Sequence, residues 1–142
     1  MECGYWFTVA IKTDGSLWAT GANNYGQLGL GDYSERTVFT QVGSDENWYQ
    51  ACAGYFHMLA IKTDGTMYAT GRNNYGQLGL EDKTTRNELT EITSSLIVGS
   101  DDEISTWLYV VCGAYHTLAF GSYTQTSTIE PPEDDEPQVW PM

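Results

Sequence analysis

Positive charge is scarce in this 142-residue chain: Lys and Arg total 6 against 19 Asp and Glu, a formal charge of −13. A nucleic-acid surface needs clustered cations to displace counterions, so no DNA or RNA binding is expected. The acidity serves solubility, and a basic partner surface is the sharper reading. Long apolar runs are missing too. None approaches the roughly 18 residues needed to cross a bilayer, so no membrane-inserted helix is expected. The first residues show no basic stretch followed by an apolar segment, so no secretion signal is expected. Cysteine is limited to Cys3, Cys52 and Cys112, far apart and with no Cys-x-x-Cys pair. They are expected to be reduced, buried small hydrophobes, with neither a disulfide framework nor a zinc site. Proline is confined to four residues beyond position 130.

Glycine (15 residues) and aromatics (13%) are plentiful, and their order is repetitive. Shifted by 50 positions, Gly4–Thr40 falls on Gly54–Thr90, and 22 of the 37 aligned residues are identical. Ala10–Gly15 returns at Ala60–Gly65, and Asn23–Leu30 returns at Asn73–Leu80. Asp32, Arg36 and Thr40 return as Asp82, Arg86 and Thr90. A third copy begins at Val110–Phe120, now offset by 59 because residues 94–103 form an enlarged acidic connection. The chain therefore divides into a first repeat lacking its opening strand (1–43), a second (44–93), the connection with the opening strands of a third (94–121), and an acidic Pro-rich tail (122–142).

Each repeat reads as four short strands. Phe7–Ile11 and His57–Ile61 are apolar runs that meet Thr-Asp-Gly, a turn in which Asp bonds locally and Gly takes the left-handed backbone. Return strands follow at Ser16–Thr20 and Thr66–Thr70, compact loops at 23–29 and 73–79, and outer strands at Thr37–Val42 and Asn87–Ile92. Asn47–Ala51 and Trp107–Val111 open the second and third units. Four short strands per unit is the signature of a propeller blade, so the predicted class is all-β, a partial β-propeller.

Gly54-x-x-His57-x-Leu59-Ala60, Thr63-Asp64-Gly65 and Gly71-x-Asn73-x-x-Gly76-Gln77-Leu78-Gly79 resemble the repeat of the regulator-of-chromosome-condensation family over residues 3–120. The resemblance implies a propeller of about seven four-stranded blades. Two and a third repeats do not close such a ring, so the missing faces are expected from a longer parent chain, from other copies of this one, or from other subunits. The family also includes an exchange factor for the small GTPase Ran, chromatin-binding proteins and domains attached to ubiquitin ligases. The wedge insertion and basic loops those activities use have no match here.

No catalytic constellation emerges. His57 and His116 share a repeat position that accepts Phe7, which points to packing rather than proton transfer. Asp14 and Asp64 are single turn carboxylates, not a calcium loop. Asp101, Asp102 and Glu103 could attract a divalent ion, but read as a solvated acidic loop. Gly26-x-x-Gly29-x-Gly31 lacks the helix and Lys of a phosphate loop. The candidate contact residues are Trp48, Tyr49, Tyr25, Tyr75, Trp107 and Trp140, since Tyr and Trp offer large rigid contact area. Trp140, after the acidic linker, is a candidate docking plug for a neighbouring subunit. The expected function is a non-enzymatic structural or protein-interaction module without cofactor or metal. Its expected partners are proteins or further copies of itself, in an oligomer or a large complex such as a virus or phage particle or tail. The alternatives are a regulator of a small GTPase or chromatin partner, by family analogy, and a metal-dependent enzyme.

Overall fold

The recurring Thr-Asp-Gly segments set the strand register. In the computed structural model, which describes residues 1–93 and 104–123, Asp14 Oδ1 accepts from the Ser16 amide at 2.9 Å and the Ser16 hydroxyl at 2.6 Å. Asp64 holds Thr66 in the same way, at 2.9 and 2.7 Å. These bonds, that from the Ser16 or Thr66 hydroxyl first, hold both carboxyls below their ordinary pKa. Gly15 and Gly65 complete the turns at φ 83° and 84°, a region costly for any residue with a Cβ.

The turns organise two equivalent antiparallel sheets. The first contains β1 (Glu2–Cys3), β2 (Phe7–Ile11), β3 (Leu17–Gly21) and β4 (Arg36–Gln41) in sequential order. The second contains β5 (Trp48–Ala53), β6 (His57–Lys62), β7 (Met67–Gly71) and β8 (Arg86–Glu91), again sequential. Ile11 faces Leu17 as Ile61 faces Met67, so the two central hairpins share one register. A third hairpin, β9 (Ile104–Cys112) and β10 (Thr117–Tyr123), stands as the opening pair of a third unit. The fold is all-β and built of four-stranded blades, as the sequence pattern requires. The place left without an opening strand in the first repeat holds the two-residue β1, with Cys3 opposite Thr8.

Alternation along the strands makes two apolar interfaces. Phe7, Val9, Leu17, Ala19 and Leu28 of the first blade pack on Trp48, Ala51, Met58 and Ala60 of the second. Leu59, Ile61, Met67, Ala69 and Leu78 then pack on Val110, with Trp107 and Ala119 alongside. Full burial of each large apolar side chain is worth about 1.5–3 kcal/mol, so stacking is the main source of stability. Polar bonds fix the stacking angle. The Trp48 amide donates to Gly15 O at 3.0 Å and the Trp107 amide to Gly65 O at 2.9 Å, docking each turn onto the strand that opens the next blade. The Gln50 side chain pairs with both the amide (3.1 Å) and the carbonyl (2.9 Å) of Val110.

The cysteines depart from expectation. Cys52 and Cys112 form a disulfide across the second and third units, and Cys3 is exposed and free. Cys52 sits one residue out of step with Cys3 and Cys112 in the repeat, which turns it toward the following blade. There it meets Cys112, whose side chain points back.

Candidate functional site

The loops at residues 23–32 and 73–82 are held by one recurring set of bonds. Asn23 Nδ2 donates to Asp32 O (3.0 Å) and Oδ1 (3.1 Å), while its Oδ1 accepts from the Leu28 amide at 2.9 Å. Asn73 does the same with Asp82 and Leu78. Both asparagines are fully buried. Gln27 and Gln77 each accept the amide of the preceding tyrosine, at 2.9 and 3.0 Å. Arg36 pairs with Asp32 at 2.6 Å and Arg86 with Asp82 at 2.7 Å. The Arg36 guanidinium and the Ser34 amide lower the Asp32 pKa; the Thr84 amide and Arg86 do so for Asp82. This scaffold explains the Asn-Asn-Tyr-Gly-Gln-Leu-Gly recurrence.

The tyrosines so held, Tyr25 and Tyr75, join a band of rings along one rim of the blades. Tyr5 stacks on Trp6 (4.9 Å between centroids) and on Tyr55 (4.7 Å). Phe56 contacts Trp6 (5.9 Å), Tyr25 (5.1 Å) and Tyr55 (6.3 Å). Tyr55 meets Tyr115 at 5.2 Å, and Tyr115 meets Tyr75 at 5.8 Å. Arg72 lies among them, 5.1 Å from the Tyr25 ring, 5.9 Å from Phe56 and 5.8 Å from Tyr75. Among the described residues its buried Nε has no hydrogen-bond partner, and the guanidinium lies against ring faces. Trp6 and Tyr75 are about two-thirds exposed, at 63% and 67%. Large rigid aromatics and arginine are residue types enriched at the centres of protein interfaces.

Of the sequence candidates, Tyr25 and Tyr75 belong to this rim. Trp48, expected at the surface, is buried: its indole packs edge-on against Tyr68 at 5.4 Å in the first interface. Trp107 is half-buried against the second core. Tyr49 is exposed on β5 and makes none of the rim contacts. Trp140, Asp101, Asp102 and Glu103 lie outside the described residues. Tyr5, Trp6, Tyr55, Phe56, Arg72 and Tyr115 were not anticipated. The signal for them was the aromatic pair after the turn glycine, Gly4-Tyr5-Trp6 and Gly54-Tyr55-Phe56, with Tyr115 following Gly113.

His57 is fully buried, its Nε2 3.2 Å from the Thr117 hydroxyl. Burial pushes its pKa down to about 4, leaving a neutral packing group at neutral pH. Among the described residues, no group of three or more His, Cys, Asp or Glu side chains is placed to hold a metal. Among the described residues no helix is long and apolar enough to cross a membrane.

Comparison with known proteins bears on the whole arrangement. Two family models, both described as the regulator of chromosome condensation (RCC1) repeat, match residues 1–27 with 49–77 and residues 64–120. The human X-linked retinitis pigmentosa GTPase regulator is 51% identical over 37 residues, 26% of this chain and 4% of that protein. The structure of human WBSCR16 superposes with a TM-score of 0.72 at 24% identity, covering 84% of this chain and 29% of that one. Prp20p of Saccharomyces cerevisiae, a structure described with its binding to Gsp1p and histones, gives 0.68 at 20% identity over 87% of this chain and 30% of its own. Yeast RCC1 (Prp20) bound by Kap60 gives 0.69 at 19% identity, over 87% of this chain and 29% of its own. The chain thus spans less than a third of the length of these relatives.

Proposed function

Since this chain belongs to the regulator of chromosome condensation repeat family, we propose that it is a non-catalytic protein-binding platform whose contacts are made by the aromatic–arginine rim. The carrying observation is the continuous band from Trp6 through Phe56 and Tyr55 to Tyr115 and Tyr75, with Arg72 inside it. The blades supply rigidity and the rim supplies contact area, the usual division between scaffold and loop. The chain's charge of −13 favours a basic partner. Histones, which Prp20p binds, are therefore the first probe, and Gsp1p the second.

The test is a photo-crosslinking scan. p-Benzoylphenylalanine replaces Trp6, Tyr75 or Tyr115 on the rim, and Tyr49 or Phe39 away from it. Adducts with histones or Gsp1p at the rim positions support the reading. Adducts at Tyr49 or Phe39 alone overturn it.

A second reading, one part of a larger assembly, is favoured by the outward face of the third hairpin. Leu118 and Phe120 are 55% and 54% exposed, while their repeat counterparts Leu59 and Ile61 are buried. Another blade, from a longer chain, a further copy or a particle subunit, would cover them as the third hairpin covers the second blade. Solution mass by light scattering tests the version with further copies; a monomer at all concentrations rejects it.

A further inference from the structure

The repeat gives both blades an outer strand, yet the two outer strands differ. β4 and β8 each end their sheet, β4 beside β3 and β8 beside β7. The backbone groups on the far side of such a strand are a template for another strand. On β8 that side is taken by the first blade's loop. Leu30 forms an antiparallel bridge to Glu88, and the Gly31 amide donates to Asn87 O at 2.9 Å. Among the described residues β4 carries no such bridge.

The side chains differ in step with the backbone. Thr37-Val38-Phe39-Thr40 of β4 stands where β8 has Asn87-Glu88-Leu89-Thr90. Glu88 puts a charge on its edge, and Leu89 packs against the first core. Val38 is 68% exposed and Phe39 44%, with Tyr33 exposed just ahead of the strand. Charged side chains guard free edges against pairing, and β4 has none between Arg36 and Gln41. Arg36 itself is paired with Asp32 at 2.6 Å. The chain thus places its apolar outer edge on the blade whose edge its own loops leave uncovered.

We propose that β4 pairs, antiparallel and about a two-fold axis, with β4 of a second copy of this chain. The strand is self-complementary in one register. With the axis between Val38 and Phe39, Val38 of each chain faces Phe39 of the other, Thr37 faces Thr40, and Arg36 faces Gln41. An apolar pair then sits on each side of the axis, a hydroxyl pair beyond it, and no like charges meet, all favourable cross-strand pairings. A patch that complements itself closes at two copies. The pairing joins two four-stranded sheets edge to edge. One strand edge buries less area than a permanent dimer needs, so the dimer is reversible and concentration-dependent. It uses neither the aromatic rim nor the outward face of the third hairpin, and it rests on neither reading.

The test is sedimentation velocity of the full chain over a dilution series from millimolar to micromolar, for the wild type, Val38→Glu and Leu118→Glu. Val38→Glu copies the second blade's Glu88 at an exposed position, so it should keep the wild-type circular dichroism. The expected result is a monomer–dimer equilibrium in the wild type, unchanged in Leu118→Glu and at least roughly tenfold weaker in Val38→Glu. A wild type that stays monomeric throughout, or assembles beyond two copies, overturns the proposal. So does a dimer that survives Val38→Glu or is lost only in Leu118→Glu. Cross-linking in a Cys3→Ser background tests the register without altering Val38. Thr37→Cys mixed with Thr40→Cys should form the mixed disulfide at least roughly tenfold faster than either variant forms one with itself, because opposed positions lie within disulfide reach and like positions are about 10 Å apart. Equal rates overturn the pairing.

Discussion

The imidazole of His57 in the second blade sits with Nε2 3.2 Å from the hydroxyl of Thr117 in the third unit, and that hydroxyl donates to Gln77 O at 2.9 Å. One histidine, one threonine and one loop carbonyl thus tie a β-strand, the next hairpin and the tyrosine-bearing loop together.

The burial of His57 makes stability pH-dependent. The folded pKa of His57 is about 4, against an ordinary 6.5. As pH falls from 6.5 toward 4, the unfolded chain takes up a proton that folded His57 refuses, so stability declines, by about 3 kcal/mol in all. His57→Phe, which places in the second blade the residue the first carries at Phe7, removes this slope. Urea unfolding at pH 7 and pH 4.5 checks it: the wild type should lose stability between them and the variant should lose distinctly less. The aspartates act lower. Asp14, Asp32, Asp64 and Asp82 have folded pKa values depressed below 3.8, so their contribution is lost only as pH falls below that range.

Asn73 is the keystone of the second loop. Asn73→Ala leaves the buried Leu78 amide without its acceptor and removes the donor to Asp82 O and Oδ1, while Asp82 keeps Arg86 and the Thr84 amide. The expected loss is about 2–3 kcal/mol. Crosslinking or binding through Tyr75 should weaken in the same variant, because Tyr75 is carried on that loop. Thermal melting beside a binding titration separates the two effects.

The Cys52–Cys112 bridge closes a separation of 60 residues, which in the chain-entropy picture stabilises by about 4 kcal/mol. Reduction, or Cys52→Ser with Cys112→Ser, should lower the melting temperature, and exchange should rise first in β9 and β10. Cys3→Ser should leave melting unchanged, since Cys3 is exposed and free.

Much of this was legible in the sequence because it is written twice. Identical residues at a fixed shift located the turns, the loops and the strands to within a few residues at each end, and apolar alternation gave the blade faces. Less could be read where meaning depends on which face a residue meets. Cys52, one position out of step, looked like drift in the repeat, yet the two-residue period of a strand turns that offset into a change of face and a disulfide. Trp48 looked like a surface aromatic because it opens a strand; the docking of its amide on Gly15 O buries it. The rim was half visible: Tyr25 and Tyr75 recur inside a motif, whereas Tyr5, Phe56 and Tyr115 come from three repeats and meet only once the blades stack.

The most direct test of the rim as a binding platform is a titration of histones into the wild-type chain, Arg72→Ala/Tyr75→Ala, and Tyr49→Ala. Arg72 bears on ring faces and Tyr75 is largely exposed, so the double variant should fold normally and circular dichroism should match wild type. The predicted result is at least a tenfold loss of affinity in the rim variant, about 1.4 kcal/mol, with Tyr49→Ala binding as wild type does. Equal affinity for the rim variant, or a loss confined to Tyr49→Ala, would contradict the account.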